Sequence, residues 1–412
     1  MLSSRRMLPI ILTIFTGFIG FSLPFPVFSH LFLAVDSTFL PPGIPLDERK
    51  ILLGFALALY PFGQILSAPG WGRYSDRRGR KPALTVSLMV ASVGMALVAF
   101  GVFANLLWAV LVGRLISGLG EGNMAIAQAM ASDEGSDHEA GNFAALSIAM
   151  NAGWIIGPLL GGFLGDPTAT PVSSPALPFI LAVAMYLINV LVVIIFVEER
   201  PTSPAHASKH NTIKLPQLFR QPNMLAVLTL TLLAFWSVYT LFSYLPPYLV
   251  QVFASTTADI GMYCALLSVP LIIAGLLTSA LSRWLDTKKL TALALLLMAS
   301  GLLLLTNADS IAGLILPVSM VAFGIVFIEV TSAQFVSRLA TSQEKGELMG
   351  IYRSVVVIAE VIATLAAGYL ASWTVTLPFI VASITVIFAL FFLLQLPREE
   401  QNLASEAEES SV

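Results

Sequence analysis

Charge is what this 412-residue chain has least of: 11% of its residues are charged, against 57% that are hydrophobic. So sparse a polar complement cannot cover a soluble domain of this size, and the net charge of -3 leaves no basic surface for nucleic acid. A single cysteine, Cys264, lies inside an apolar run, which excludes a disulfide framework or a thiolate metal site as an organising feature. The four histidines, His30, His138, His206 and His210, fall in loops or at helix ends without ligand spacing. There is no glycine-rich nucleotide loop, nucleophile elbow or metal motif, which argues against an ATP-driven pump and against an enzyme; no cofactor and no metal are expected. Long hydrophilic stretches are scarce as well. Most connections between the apolar runs are only a few residues long, leaving 29–50 and 198–222 as the longest hydrophilic stretches, so no soluble domain is hidden between them.

What remains is apolar sequence in runs of helical length. A helix needs about 20 residues to cross the ~30 Å hydrocarbon layer, where only helices and closed barrels satisfy their backbone polar groups. Twelve such spans are predicted: 7–28, 51–71, 82–103, 105–131, 139–165, 177–197, 223–251, 259–284, 289–307, 311–337, 345–371 and 373–396. The apolar stretch from Met7 to Phe28 follows Arg5 and Arg6 as it would in a secretory signal. It is longer than the roughly 7–15 residues of a signal core and reads as the first spanning helix.

Basic residues orient the chain, because loops rich in Lys and Arg stay cytoplasmic. With both termini inside, 17 of the 21 basic residues lie on the cytoplasmic side and two, Arg49 and Lys50, lie outside; Arg114 and Arg353 fall within spans. The sequence also repeats weakly over half its length. The run EAGNFAALSIAMNAGWIIGPLLGGFL from Glu139 lies over EKGELMGIYRSVVVIAEVIATLAAGYL from Glu344, and RYSDRRGRK from Arg73 has an echo in RWLDTKKL from Arg283. The expected fold is therefore an all-α membrane protein of twelve transmembrane helices in two pseudo-symmetric six-helix bundles, 1–197 and 223–397. A cytoplasmic linker, 198–222, joins them, and a disordered acidic tail, 398–412, follows.

Charges inside the spans carry the functional information, since each costs at least ~2.5 kcal/mol at the bilayer centre unless paired or hydrated. Five occur: Arg114, Glu121, Glu329, Arg353 and Glu360. Arg114 and Glu121 are seven residues apart, which puts them on one face of a continuous fourth helix, and Arg353 and Glu360 repeat the spacing in the eleventh. At ~1.5 Å per residue, Glu329 and Arg353 lie about 12 to 14 Å from the cytoplasmic side and could pair between helices. Glu360 sits near mid-membrane without a basic partner in its own half, so it is the leading proton carrier, with Glu121 second. Such a carboxyl, in a partly dry cavity, can take up and release a proton at working pH.

Three runs together resemble the major facilitator superfamily, and within it the twelve-helix drug/proton antiporters that include the tetracycline exporters. GRYSDRRGRKPAL, from Gly72, is similar to the family's loop signature after the second helix, with Tyr74 in place of leucine. GRLISGLGEGN, containing Arg114, is similar to the fourth-helix signature, with Glu121 where a small residue is usual; GWIIGPLLGG, 153–162, is similar to the fifth-helix antiporter signature. In this reading Gly72 and Gly79 permit a tight reversal, Asp76 caps a neighbouring helix, and Arg80 pairs with Asp133 in a latch that the resemblance associates with the outward-facing state. Gly153, Gly157, Gly161 and Gly162 with Pro158 form a small-residue seam, which the resemblance links to leak prevention. The resemblance places proton transfer at Arg114. It also implies a cavity lined by helices one, four, seven and ten, to which Asn123 and Gln128, then Trp236, Tyr239 and Tyr244, contribute, joined by Tyr60 and Gln64 from helix two. Tyr248 and Trp373 read as interfacial anchors. The tetracycline exporters have an acidic residue in the first helix where an alignment puts Gly17 here, so any coupling site has moved.

These residues point to a secondary transporter in the inner (plasma) membrane that exports a small amphipathic molecule in exchange for protons by alternating access. Its expected partners are the cargo, protons and the lipid bilayer, and it is expected to act as a monomer. A proton-coupled importer of a nutrient or metal chelate, or a transport-inactive receptor or scaffold, remain the alternatives.

Overall fold

A computed structural model describes residues 2–133, 139–198, 222–339 and 345–396; the linker, the acidic tail and the side chain of Asp133 lie outside the described residues. Every regular element among the described residues is helical. The first pass combines α1 (Leu2–Ser22) and α2 (Pro24–Leu33), which meet where Pro24 removes a backbone donor. There follow α3 (Leu46–Arg78), α4 (Arg80–Phe103), α5 (Leu107–Leu119), α6 (Asn123–Asp133), α7 (Glu139–Gly165) and α8 (Leu177–Phe196). The second half holds α9 (Pro222–Phe253), α10 (Thr257–Leu266), α11 (Ser268–Leu281), α12 (Thr287–Leu305), α13 (Ile315–Leu339), α14 (Lys345–Trp373) and α15 (Leu377–Gln395).

Eleven of the described spans are long and apolar enough to cross a membrane. The fourth pass is the exception, being broken into α5 and α6 at Gly120, Glu121 and Gly122; counted as one, it completes the expected twelve. The eighth breaks between α10 and α11 because Pro270 has no N–H to offer the carbonyl four residues back. The second helix is longer than expected. It runs unbroken through most of the basic segment to Arg78, and the chain reverses only at Gly79, whose φ of 97° is open to glycine and costly for other residues. Gly72 is therefore a helical residue with open space where its Cβ would be, and it plays no part in the turn.

The outer face of α8 shows why this is a multi-pass membrane protein. Ile180, Leu187, Leu191 and Ile195 recur at helical spacing and are exposed, while Phe179, Ala182, Tyr186, Val190 and Val193 are buried on the opposite side. An apolar stripe that large on the outside suits lipid.

The chain divides into two compact units. The first takes the described part of Met1–His210 with Ser243–Leu266 and Thr364–Trp373; the second takes the rest, so α9 and α14 each contribute to both. In the first unit α1 packs on α7, and Met7, Ile10 and Ile14 meet Ala127, Leu146 and Ala149 in a closed apolar cluster. In the second, Gly301 and Gly324 bring α12 and α13 together, each leaving under 3 Å between its missing Cβ and a carbonyl of the other helix. Two serines then tie α15 to α12 and α9: Ser383 of α15 donates to the Ala299 carbonyl, and Ser237 of α9 donates to the Ala382 carbonyl, each at 2.8 Å.

Candidate functional site

In the first unit, two buried ionisable groups, Arg114 and Glu121, lie before and at the break in the fourth pass. Tight glycine packing fixes α5 before the break is reached: a Cβ on Gly113 would stand 2.7 Å from Val98 N, and one on Gly63 of α3 would stand 2.7 Å from Leu115 O. Arg114 is thereby held with no exposed surface, its guanidinium 4.6 Å from the centre of the Tyr60 ring and 5.9 Å from that of Phe28. Stacking of this kind compensates a buried cation for part of its lost hydration.

Helix α5 ends in a tight turn, in which Gly120 N donates to Ile116 O at 3.0 Å and Glu121 N to Gly118 O at 3.0 Å. Helix α6 restarts as Ile126 N reaches Gly122 O. Glu121 thus belongs to a turn between two helices, and its seven-residue spacing from Arg114 no longer sets their relation, contrary to the expectation of one continuous face. The two flanking glycines are the physical reason. The carboxylate is nevertheless buried, at 7% exposure, and within electrostatic reach of Arg114. Its Oε1 lies 2.9 Å from the point where a Cβ on Gly17 would stand, with the Asn123 side chain under 4 Å from the same point. Tyr60 and Asn123 flank it, and Oε2 has no hydrogen-bond partner among the described residues.

Residues that the sequence reading missed complete this cluster. Tyr186 of α8 brings its hydroxyl to 2.5 Å from the Cβ position of Gly20, and Asn189, one turn on, exchanges hydrogen bonds with Thr13 of α1 at 3.2 to 3.4 Å. The signal was present: a tyrosine and an asparagine three apart in an otherwise apolar helix share a face. Phe21 and Trp154, both partly exposed, meet edge-on at 5.1 Å, and Phe21 lies 5.3 Å from the buried Tyr60 ring, an aromatic group that spacing alone did not reveal.

The second unit gathers Glu329, Arg353 and Glu360 around Tyr239, which is within electrostatic reach of all three and of Tyr352. Glu360 is buried, at 6% exposure, whereas Glu329 and Arg353 are exposed and attract one another. Tyr352 is anchored at 3.1 Å to the Ser332 hydroxyl.

Other predicted residues separate into packed and open groups. Tyr60, Asn123 and Tyr244 are buried, and the Tyr244 hydroxyl accepts from Gln251 at 3.3 Å. Gln64, Trp236 and Tyr239 are partly exposed and Gln128 is exposed. Tyr248, expected at the membrane surface, is instead buried against Phe253, while Trp373 is exposed. In the basic segment, Arg80 donates to Asp76 Oδ1 at 3.2 Å and to Ser75 Oγ at 2.9 Å. The expected Asp133 partner lies outside the described side chains.

The antiporter-like seam has two faces. Gly153, Gly157 and Gly161 let α7 meet the first pass backbone to backbone, against Phe15, Ser22 and Leu23, and the Ser22 hydroxyl donates to Gly153 O at 3.2 Å. Gly162 and the Pro158 carbonyl face Gly261 of α10, where a Cβ on Gly162 would stand 2.8 Å from Gly261 Cα.

The family model described as Major Facilitator Superfamily matches residues 10–363 of the chain. Among curated proteins, the class B tetracycline resistance protein of Escherichia coli is 30% identical over 174 residues, 41% of this chain and 40% of that protein. The class D tetracycline resistance protein of Salmonella ordonez is 35% identical over 130 residues, 31% of each. The chain thus spans well under half the length of these relatives. Among solved structures, the xylose transporter XylE from E. coli is 15% identical with a TM-score of 0.73, covering 96% of this chain and 98% of that one, a likeness of fold alone.

Proposed function

Because the chain belongs to the major facilitator superfamily, we propose that it is a secondary transporter that exports a small amphipathic organic molecule in exchange for protons. In this reading the halves 1–197 and 223–397, joined by 198–222, alternate in access across an inner membrane with both termini cytoplasmic. The tetracycline resistance proteins that resemble it support export of an organic cargo.

The observation that carries the proposal is the position of Glu121. Its carboxylate occupies the space directly over Gly17, the position that the resemblance aligns with an acidic residue of the tetracycline exporters. The acid that the first helix lacks is supplied to the same space by the fourth. Glu121 takes a proton there, and Arg114 stabilises the deprotonated form. Glu360, buried beside Tyr239, provides a second carboxyl in the other half. Exposed Glu329 and Arg353 line the aqueous route, and the partly exposed Trp236, Tyr239, Phe21 and Trp154 offer aromatic faces to the cargo.

Proteoliposomes carrying an imposed pH gradient test the reading, with tetracycline and a panel of labelled amphipathic cations as cargo. Accumulation driven by the gradient in the wild type and lost in Glu121→Gln or Glu360→Gln is the expected result. Transport indifferent to the gradient sinks proton coupling, and cargo that moves in the same direction as the proton sinks export.

A further inference from the structure

The break that places Glu121 has a holder outside the fourth pass. Trp71 of α3 donates its indole N–H to the Leu119 carbonyl at 2.7 Å. Leu119 is the last residue of α5, where carbonyls lack intrahelical partners and a buried one needs another donor. The same side chain fills the space beside Gly122, where a Cβ would overlap the ring atoms Cγ and Cδ1. Trp71 thus touches both sides of the residue that bears the carboxylate, one contact before Glu121 and one after. It also packs edge-on against Tyr74 at 6.0 Å, inside the basic segment that ends at Gly79.

We propose that Trp71 is the positioning residue of the fourth-pass carboxylate, its indole clamping the break between Leu119 and Gly122 so that Glu121 is set against Gly17 and moves with the end of α3. The inference rests on Glu121 being a proton carrier and adds what controls it. A shift of α3, driven from the basic segment, pulls the indole from Leu119, lets the turn relax, and changes the distance of the carboxylate from Arg114. The ionisable groups that face Glu121 are Arg114 from α5, Tyr60 from α3 and Tyr186 from α8, whereas α1 presents Gly17 and no charge.

The test reads the carboxyl itself and needs no cargo. Infrared difference spectra of the full chain in lipid, recorded across a pH series, give the protonated-carboxyl C=O band; loss of that band in Glu121→Gln assigns it. Trp71→Phe keeps an aromatic ring and removes the N–H. Its expected result is a shift of the band's midpoint by roughly half a pH unit or more, about a threefold change in the protonation equilibrium. Gly122→Ala, which pushes the ring away from the other side, is expected to shift the midpoint likewise and serves if Trp71→Phe fails to fold. A midpoint unchanged in both folded variants overturns the proposal while leaving Glu121 as carrier. Absence of any band lost in Glu121→Gln removes the carrier assignment, and the positioning role falls with it.

Discussion

Asp166 caps α10 from the end of another helix: one residue beyond α7, its Oδ2 accepts the backbone N–H of Ala258, in the first turn of α10, at 3.1 Å. Its Oδ1 accepts from Thr168 N at 2.9 Å and Thr168 Oγ1 at 2.7 Å. Burial alone would raise the pKa of this carboxyl, but the hydrogen bonds from Thr168, Ala258 and Thr256 outweigh it and hold the group below its ordinary value. A folded-state pKa below the unfolded one means that the stabilisation is complete above about pH 4 and lost as pH falls through the folded value. Asp166→Ala is expected to cost about 0.5–2 kcal/mol, as lost helix caps do. Thermal unfolding at pH 7 checks this, and the gap between variant and wild type should narrow in strong acid. Equal unfolding temperatures at pH 7 would show that the cap contributes nothing.

A contact of opposite sign involves Lys50. Its Nζ is buried and donates to the Ala371 carbonyl at 3.0 Å, in the last turn of α14, where the helix dipole favours a cation. Gly54, one turn on, lets the two backbones touch, since a Cβ there would stand 3.0 Å from both Gly368 Cα and Thr364 O. Lys50→Met keeps the aliphatic stem and removes the donor. A loss of roughly 0.3–2 kcal/mol is expected, visible in the same unfolding assay, and Gly54→Val should be worse because no flexible side chain can yield to it.

How far the sequence could be read depended on range. Helix number, the apolar lipid face and the reversal near Gly79 follow from local pattern and charge, and the family followed from three short runs. The break at Gly120–Gly122 was visible only as two glycines in an apolar run, which helices often tolerate, and so the fourth pass was expected to be continuous. That the basic segment would stay helical to Arg78 was hidden for the same reason, Gly72 being permissive but not a turn. The side chain set over Gly17 could not be read at all. It depends on contact between residues 104 positions apart, and no periodicity within one helix reports such a contact. The same holds for Tyr248, which the sequence places at an interface and packing puts inside.

Gly20 tests the room made for Tyr186. An added methyl would meet the phenol oxygen at 2.5 Å and Cε2 at 3.0 Å, against a residue with no exposed surface. Gly20→Ala should therefore cost about 1–3 kcal/mol, the range for overpacked cores. Removing the oxygen opens the space again, so Gly20→Ala combined with Tyr186→Phe should recover much of the loss. Strict additivity in that double-mutant cycle would mean that the two groups do not meet.

Arg114 stacks on Tyr60, and the ring's quadrupole rather than its hydroxyl supports the cation. Tyr60→Phe should accordingly leave stability and transport close to wild type, while Tyr60→Leu removes about 0.5–2 kcal/mol of cation–π support and reduces transport. If the hydroxyl instead serves the Glu121 carboxylate it flanks, Tyr60→Phe will be the damaging change and the stacking account will be wrong.

The relocated carboxylate offers the sharpest exchange. Gly17→Asp in the wild-type background forces two acids into one space, since the new Cβ would already stand 2.9 Å from Glu121 Oε1; mutual repulsion should leave one of them protonated and stall turnover. With Glu121→Gln alone, gradient-driven transport should be lost. Joining the two substitutions moves the acid from the fourth pass to the first without moving the charge far from Arg114. The double variant is therefore expected to regain part of the gradient-driven uptake into proteoliposomes that each single variant lacks. No recovery, in a double variant that unfolds at the wild-type temperature, would mean that the site requires the backbone turn at Glu121 and not merely a carboxylate over Gly17.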